Sequence, residues 1–278
     1  MTVIELTLII LIGSYFAGLL GSLTGLGGGF IIVPLLTIAL HVDIHYAIGA
    51  SLVSVIATSS GSAAAYVKEG ITNMRLGMFL EIATTAGAMA GAILAIYVPT
   101  HYIAILFGLI LIVSALLSLR KKAEHITKEK SYLAEKLKLN SSYPTADGSV
   151  DYGVTNVGGG FFMMMFAGVI SGLLGIGSGA LKVIAMDGIM KIPFKVSTTT
   201  SNFMIGVTAA ASAVVYLQRG YIDPGLSMPV VIGVILGALS GSKILVQSTS
   251  SKWIRVVFSV VVSVLAIEMI YNGIAGKI

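Results

Sequence analysis

The chain has 278 residues, 56% of them hydrophobic and 10% charged, with a mean hydropathy of +0.98; a soluble domain carries roughly 25% charged residues. So few polar side chains cannot cover a water-facing surface, which excludes a soluble enzyme, a disordered chain and a nucleic-acid-binding domain. The net charge of +5 is local rather than diffuse, since seven of the 17 basic residues (Arg120, Lys121, Lys122, Lys128, Lys130, Lys136, Lys138) share one short stretch, and the lack of cysteine removes disulfides, thiolate metal sites and cysteine relays.

A bilayer core about 30 Å thick takes roughly 20 apolar residues per helix. The first such stretch is 3–24. It follows Met1 without a basic flank or small-residue cleavage site and reads as a retained helix. Next comes Gly25-Leu26-Gly27-Gly28-Gly29. Each glycine costs about 1 kcal/mol relative to alanine inside a helix, so the cluster predicts a helix that stops and restarts. The apolar piece at 30–40 is long enough for only about half the hydrocarbon at 1.5 Å per residue. Full spans follow at 44–67, 75–98 and 101–119.

From Arg120 to Asn156 the chain looks soluble. Lysines alternate with Glu124, Glu129 and Glu135, where a short charged helix is expected, and a Ser/Pro/Asp/Gly run from Ser141 to Gly153 reads as a linker. The organisation is therefore a first membrane repeat (1–120), a basic linker (121–157) and a second membrane repeat (158–278). The second repeat holds spans at 158–174, 196–217, 226–247 and 253–272. Its own break is Gly175-Ile176-Gly177-Ser178-Gly179, before a short piece at 180–190.

A shift of 150 aligns residues 16–91 with 166–241 without a gap, and 20 of the 76 positions are identical. Phe16-Ala17-Gly18 matches Phe166-Ala167-Gly168, and Gly25, Gly27 and Gly29 match Gly175, Gly177 and Gly179. The charges suggest how the units face. With the basic linker placed in the cytoplasm, residues 41–45 fall outside without Lys or Arg. Their equivalents, 191–195, carry Lys191 and Lys195 and prefer the inside. Arg219 is an outside exception. Inverted repeats with interrupted helices are a secondary-transporter pattern, with the site near the midplane where the repeats meet. Irregular backbone at that depth is tolerated only inside protein or beside a cavity.

Restarting helices present backbone N–H groups and a positive dipole end to an anion. One end contributes about 0.3–1 kcal/mol, up to about 2 when sheltered, so a site needs both ends and further donors. The candidate set is Gly27, Gly28 and Gly29 with Gly177, Ser178 and Gly179. The added donors are Ser51, Thr58, Ser201, Asn202 and Thr208, from a hydroxyl stripe that runs Ser51, Thr58, Ser62 and repeats as Ser201, Thr208, Ser212. Such hydroxyls equally bond back to their own helix or join neighbours. Lys182 follows Gly179 by three residues and is placed to meet a bound anion; its rival role is an ion pair with Asp187 or contact with headgroups. Glu81 is a candidate proton carrier, although near an inside end. Lys243 and Glu268 read as snorkelling. Ala83, Gly87 and Gly91, with Gly233, Gly237 and Gly241, form small-residue packing ladders. His41, His45, His101 and His125 all fall in predicted loops, and His41-x-Asp43-x-His45 lacks a fourth ligand.

The paired glycine breaks, the Phe-Ala-Gly openings, the polar central stretch and the eight or so spans resemble the TauE/SafE sulfite exporter family of membrane permeases. The resemblance implies transport of a small sulfur oxyanion or organosulfonate, such as sulfite or sulfoacetate, across a bacterial cytoplasmic membrane, without ATP. The expectation is an all-α integral membrane protein of two inverted-topology repeats, each of about four helices with its first element broken. It is expected to be a multi-pass exporter rather than an enzyme, with no cofactor or metal, open to proton coupling, one unit rocking against the other. Its partners would be a small anion and the lipid bilayer, with room for a homodimer. A cation or metal permease built on Glu81, Asp187 and the His41/Asp43/His45 group is the alternative; a membrane enzyme or assembly subunit is the reading from another class.

Overall fold

The computed structural model describes residues 3–24, 28–68, 70–119, 129, 131–145, 148–247 and 251–278. The expected basic cluster at 120–128, and Gly25 and Gly27 of the first break, lie outside them, as do the side chains of Ser62 and Lys243.

The first repeat runs α1 (Val3–Thr24), α2 (Gly29–Pro34) with a π-helical continuation (Leu35–Ala39), α3 (Ile44–Lys68), α4 (Met74–Ala95) and α5 (Thr100–Leu119). A short helix α6 (Tyr132–Lys136) and strands β1 (Ser141–Thr145) and β2 (Gly148–Tyr152) follow. The second repeat runs α7 (Val157–Leu174), α8 (Gly179–Val183) with a π-helical turn (Ile184–Ile189), α9 (Phe194–Gln218), α10 (Pro224–Gln247) and α11 (Ser251–Ile274). The 150-residue offset holds for structure as well as sequence. Ends at 24 and 174, starts at 29 and 179, and the whole of 44–68 and 194–218 coincide. Seven helices among the described residues are long and apolar enough to cross a membrane. This is an all-α membrane protein. Large apolar side chains such as Leu8, Ile12, Phe16, Leu116 and Val260 are exposed, as a lipid-facing surface requires.

The repeats are interlocked rather than side by side. Helix α1 packs along α10, and the equivalent α7 packs along α4. The small-residue ladders make both seams. A side chain on Gly87 would run into the carbonyl of Met165 and one on Gly91 into that of Val169; Gly237 stands in the same relation to Tyr15. Only glycine lets the backbones come so close. Rising numbers meet rising numbers, so both seams are parallel. The equivalent helices α5 and α11 run antiparallel instead. Gly108 lies against Ala266 and Ile270, Gly273 against His101, and the Ser259 hydroxyl donates to the Ala115 carbonyl at 3.2 Å. Helices α3 and α9 are antiparallel too: Gly49 abuts Tyr221, while the Asn73 N–H donates to Thr200 Oγ1 at 3.1 Å.

The stretch read as a linker is ordered in its second part. Strands β1 and β2 pair antiparallel from Ser141↔Tyr152 to Thr145↔Gly148. Buried Tyr143 and Tyr152 join a cluster with Leu76 and Leu80 of α4, Met186 and Met190 after α8, and Met204 of α9. Asn73 fastens it: its Oδ1 caps α4 by accepting from the Leu76 N–H, and its Nδ2 donates to the Leu139 carbonyl and the Tyr152 phenol, each at 2.9 Å. Burial pushes the Tyr152 phenol up to about 12, so it stays neutral at physiological pH.

Candidate functional site

The second expected interruption lies wholly among the described residues, and of the first only Gly28 and Gly29 do. Helix α7 ends where Gly175 turns left-handed (φ 67°) and its N–H returns to the Ser171 carbonyl at 2.8 Å. Gly177 (φ 69°) and Ser178 (φ 47°) are left-handed as well before α8 begins at Gly179. A serine there is strained. In the first repeat Gly28 keeps right-handed dihedrals, and its carbonyl accepts from the Ile31 and Ile32 N–H groups as α2 resumes. Pro34 then withholds an amide donor within α2, and the ladder widens into the π-helical segment immediately after it.

The two breaks meet. Ser51, on α3 of the first repeat, donates its hydroxyl to the Gly175 carbonyl of the second at 2.8 Å. A Cβ on Gly29 would sit 2.8 Å from the Ser51 oxygen and 3.4 Å from the Gly175 oxygen. Ser201 donates to the Gly179 carbonyl at 3.2 Å. Ser51 thus satisfies a carbonyl just past the end of α7, which a buried helix end requires, and Ser201 adds a bond to a carbonyl in the first turn of α8. Each hydroxyl has one proton, so in this closed packing they brace the breaks. Thr58 bonds back to the Ser54 carbonyl at 3.0 Å, and Ser54 to that of Ser51 at 2.7 Å. Asn202 is buried beside Ser201, and the buried Ser178 hydroxyl has no hydrogen-bond partner among the described residues.

Sequence reasoning missed one constellation. Lys182 Nζ donates to Thr208 Oγ1, and that hydroxyl lies 2.6 Å from Glu81 Oε1. Thr85 also donates to Oε1, at 3.2 Å. Glu81 Oε2 is buried without a hydrogen-bond partner among the described residues. Lys182 and Thr208 are 0% exposed and Glu81 7%. Glu81 is on α4 and the other two on α8 and α9, so the relay joins the repeats. Thr208 is therefore a bridge between charges, and Lys182 is directed to Glu81 through it. A readable signal did exist: Ile32 and Val231 stand at the equivalent places, so two opposite charges are each missing from the duplicate.

His45 and His101, read as loop residues, lie in the first turns of α3 and α5. His45 pairs with Asp43 at 3.0 Å, contacts the Ala95 carbonyl through Nε2 at 3.1 Å and stacks on Tyr221. The hydrogen bond from His45 holds the Asp43 carboxyl below the usual carboxylate range, outweighing partial burial. This arrangement clasps the ends of α3 and α4 to the loop after α9. Among the described residues no three His, Cys, Asp or Glu side chains converge on a metal position.

The family described as "Sulfite exporter TauE/SafE" matches residues 10–269. Similar proteins include the probable membrane transporter protein YunE of Bacillus subtilis (strain 168), 29% identical over 96% of this chain and 98% of that one. Another is YdhB of the same organism, also named a probable membrane transporter protein, 28% identical over 85% and 89%. The probable membrane transporter protein MJ0441 of Methanocaldococcus jannaschii is 25% identical over 95% of each. No solved structure matches the chain.

Proposed function

Because this chain belongs to the sulfite exporter TauE/SafE family and is a multi-pass membrane transporter rather than an enzyme, we propose that it moves a small sulfur oxyanion or organosulfonate outward across the bacterial cytoplasmic membrane. The observation that carries this reading is the contact of the two breaks through Ser51 and the Gly175 carbonyl. Two helix restarts that face one another deep in the protein offer an oxyanion converging N–H groups. The anion docks between Gly28–Gly29 and Gly177–Gly179, and the Ser51, Ser201 and Asn202 side chains turn toward it as the packing opens. No ATP is needed, and a proton moving with the exchange lowers the charge that must cross.

The repeats are inverted, with the central stretch cytoplasmic. Support comes from the antiparallel course of α5 and α11. A two-fold axis along the membrane normal would make equivalent helices parallel; an axis in the membrane plane makes them antiparallel.

Proteoliposomes loaded with radiolabelled sulfite test the proposal. Release should exceed that from empty-membrane controls and respond to a pH gradient. Release equal to controls, alongside passage of a divalent cation, would instead establish the cation-permease reading.

A further inference from the structure

We propose that Lys182, Thr208 and Glu81 form an exchange relay, in which the anionic substrate and the Glu81 carboxylate compete for one buried ammonium, and each anion that wins is matched by one proton taken up on Glu81. The proposal rests on the anion-carrier reading above and adds to it a residue-level coupling device.

The equivalent positions of the first and second repeats differ in charge here. The two repeats share backbone at this place, since α2 and α8 both start at the same offset, as do α4 and α10. In one copy of the site the side chains are Ile32, Thr58 and Val231; in the other they are Lys182, Thr208 and Glu81. The duplicate positions thus carry neither charge. Ionisable side chains placed inside a membrane are costly and mark ion or proton pathways, and apolar replacement of a buried pair is often neutral or better for stability. Function is what retains them.

Lys182 belongs to the helix that restarts at Gly179, and its backbone N–H donates to the Ser178 carbonyl at 3.1 Å. That backbone therefore stands one turn from the proposed anion position, where the Ser178 hydroxyl is buried without a hydrogen-bond partner among the described residues, while the ammonium reaches to Thr208, about two turns along α9 from Ser201. Thr208 is a two-position switch. Its single proton has two acceptors in reach, Glu81 Oε1 at 2.6 Å and the Met204 carbonyl at 2.9 Å. With Glu81 ionised, Lys182 donates to Thr208, and Thr208 donates to Oε1. When an anion draws Lys182 away, the carboxylate loses its counter-charge and takes a proton from water on Oε2, the oxygen that no hydroxyl occupies. Thr208 then turns to Met204. Release of the anion reverses each step, and the proton leaves Glu81 as Lys182 returns.

Among the described residues, other charged groups are placed elsewhere. Arg75 on α4 and Lys195 on α9 are exposed, and α7 has no ionisable side chain. Asp187 is only half-buried on the turn after α8, and Tyr216 donates to the Gly172 carbonyl at 3.2 Å.

The test counts protons with purified protein in weakly buffered detergent solution and a pH-indicating dye. Sulfoacetate is the first probe, because sulfite itself titrates near neutrality; sulfate, nitrate and methanesulfonate form the accompanying panel. Wild type should take up about one proton per anion bound, and its affinity should weaken about tenfold per pH unit wherever one proton is taken up per anion. Glu81→Gln should bind without uptake and without that pH dependence. The double variant Glu81→Val/Lys182→Ile copies the other repeat; it should stay folded and monodisperse yet lose binding, which a purely structural pair would not produce. Anion binding without proton uptake, or uptake unchanged in Glu81→Gln, overturns the relay. If sulfoacetate fails but another anion shows Glu81-dependent uptake, the relay stands and the organosulfonate assignment falls. If no anion of the panel binds, both fall.

Discussion

Replacing Lys182 with isoleucine, the residue at the matching place in the first repeat, strips Glu81 of its counter-charge while filling much of the space with carbon. Lys182 and Thr208 are fully buried and Glu81 nearly so, with Oε2 already without a hydrogen-bond partner among the described residues. Breaking one side of a buried pair costs about 3–5 kcal/mol, whereas replacing both sides by apolar groups is neutral or gains about 1–4 kcal/mol. For a chain of this size a kcal/mol moves the melting temperature by about 2–4 °C. Lys182→Ile and Glu81→Val alone should therefore each melt about 6–20 °C below wild type. The double variant should melt at or above it. Circular dichroism melts in one detergent at pH 7, with monodispersity checked by size exclusion, give the three numbers. A double variant as unstable as either single would refute the reasoning, because the apolar packing of the first repeat would then not transfer.

Ser51→Ala leaves the Gly175 carbonyl without its donor and should cost about 1–3 kcal/mol. Thr58→Ala, which removes a bond to the Ser54 carbonyl of its own helix, should cost under about 1 kcal/mol in the same melts. The Asp43 carboxyl is held below its ordinary value, so its pairing with His45 stabilises above that value and is lost as pH falls through the depressed one. Melts of wild type and Asp43→Asn should thus differ at pH 6 and converge below about pH 4. Single cysteines introduced at positions 43 and 193 should react with an impermeant thiol reagent from opposite faces of the membrane; reaction from one face would end the inverted assignment.

Helix positions were legible because the bilayer demands long apolar runs, and the repeat gave them twice: 44–67 and 196–217 were expected, against helices Ile44–Lys68 and Phe194–Gln218 observed, of which the second is among the seven long and apolar enough to cross a membrane. The breaks were legible because clustered glycine inside an apolar run has few other uses. The hairpin at 141–152 was not. Its Ser, Pro, Asp and Gly residues are those of a linker, and its order comes from Tyr143, Tyr152 and a capping Asn73 some 79 residues away from Tyr152. Nor was the relay legible as a unit, since Glu81 and Thr208 are separated by 127 residues. Each charge could be seen alone, but only the packing of α4 against α9 brings them together. The spacing of Ser51 and Ser201 could be read from the sequence, but not the direction of their protons, which the nearest carbonyl decides.

The glycine seams limit which parts can travel as rigid bodies. Because α1 is locked to α10 and α7 to α4, neither half of the sequence is a mechanical half of the molecule. Swinging residues 3–119 away from residues 157–274 would tear two interfaces at which backbone touches backbone. Any hinged movement must instead carry composite blocks, each holding one helix from either copy, with the short broken elements between them as the pieces free to slide. The gene duplication thus supplied both blocks with parts in common, and the unit of inheritance is not the unit of motion.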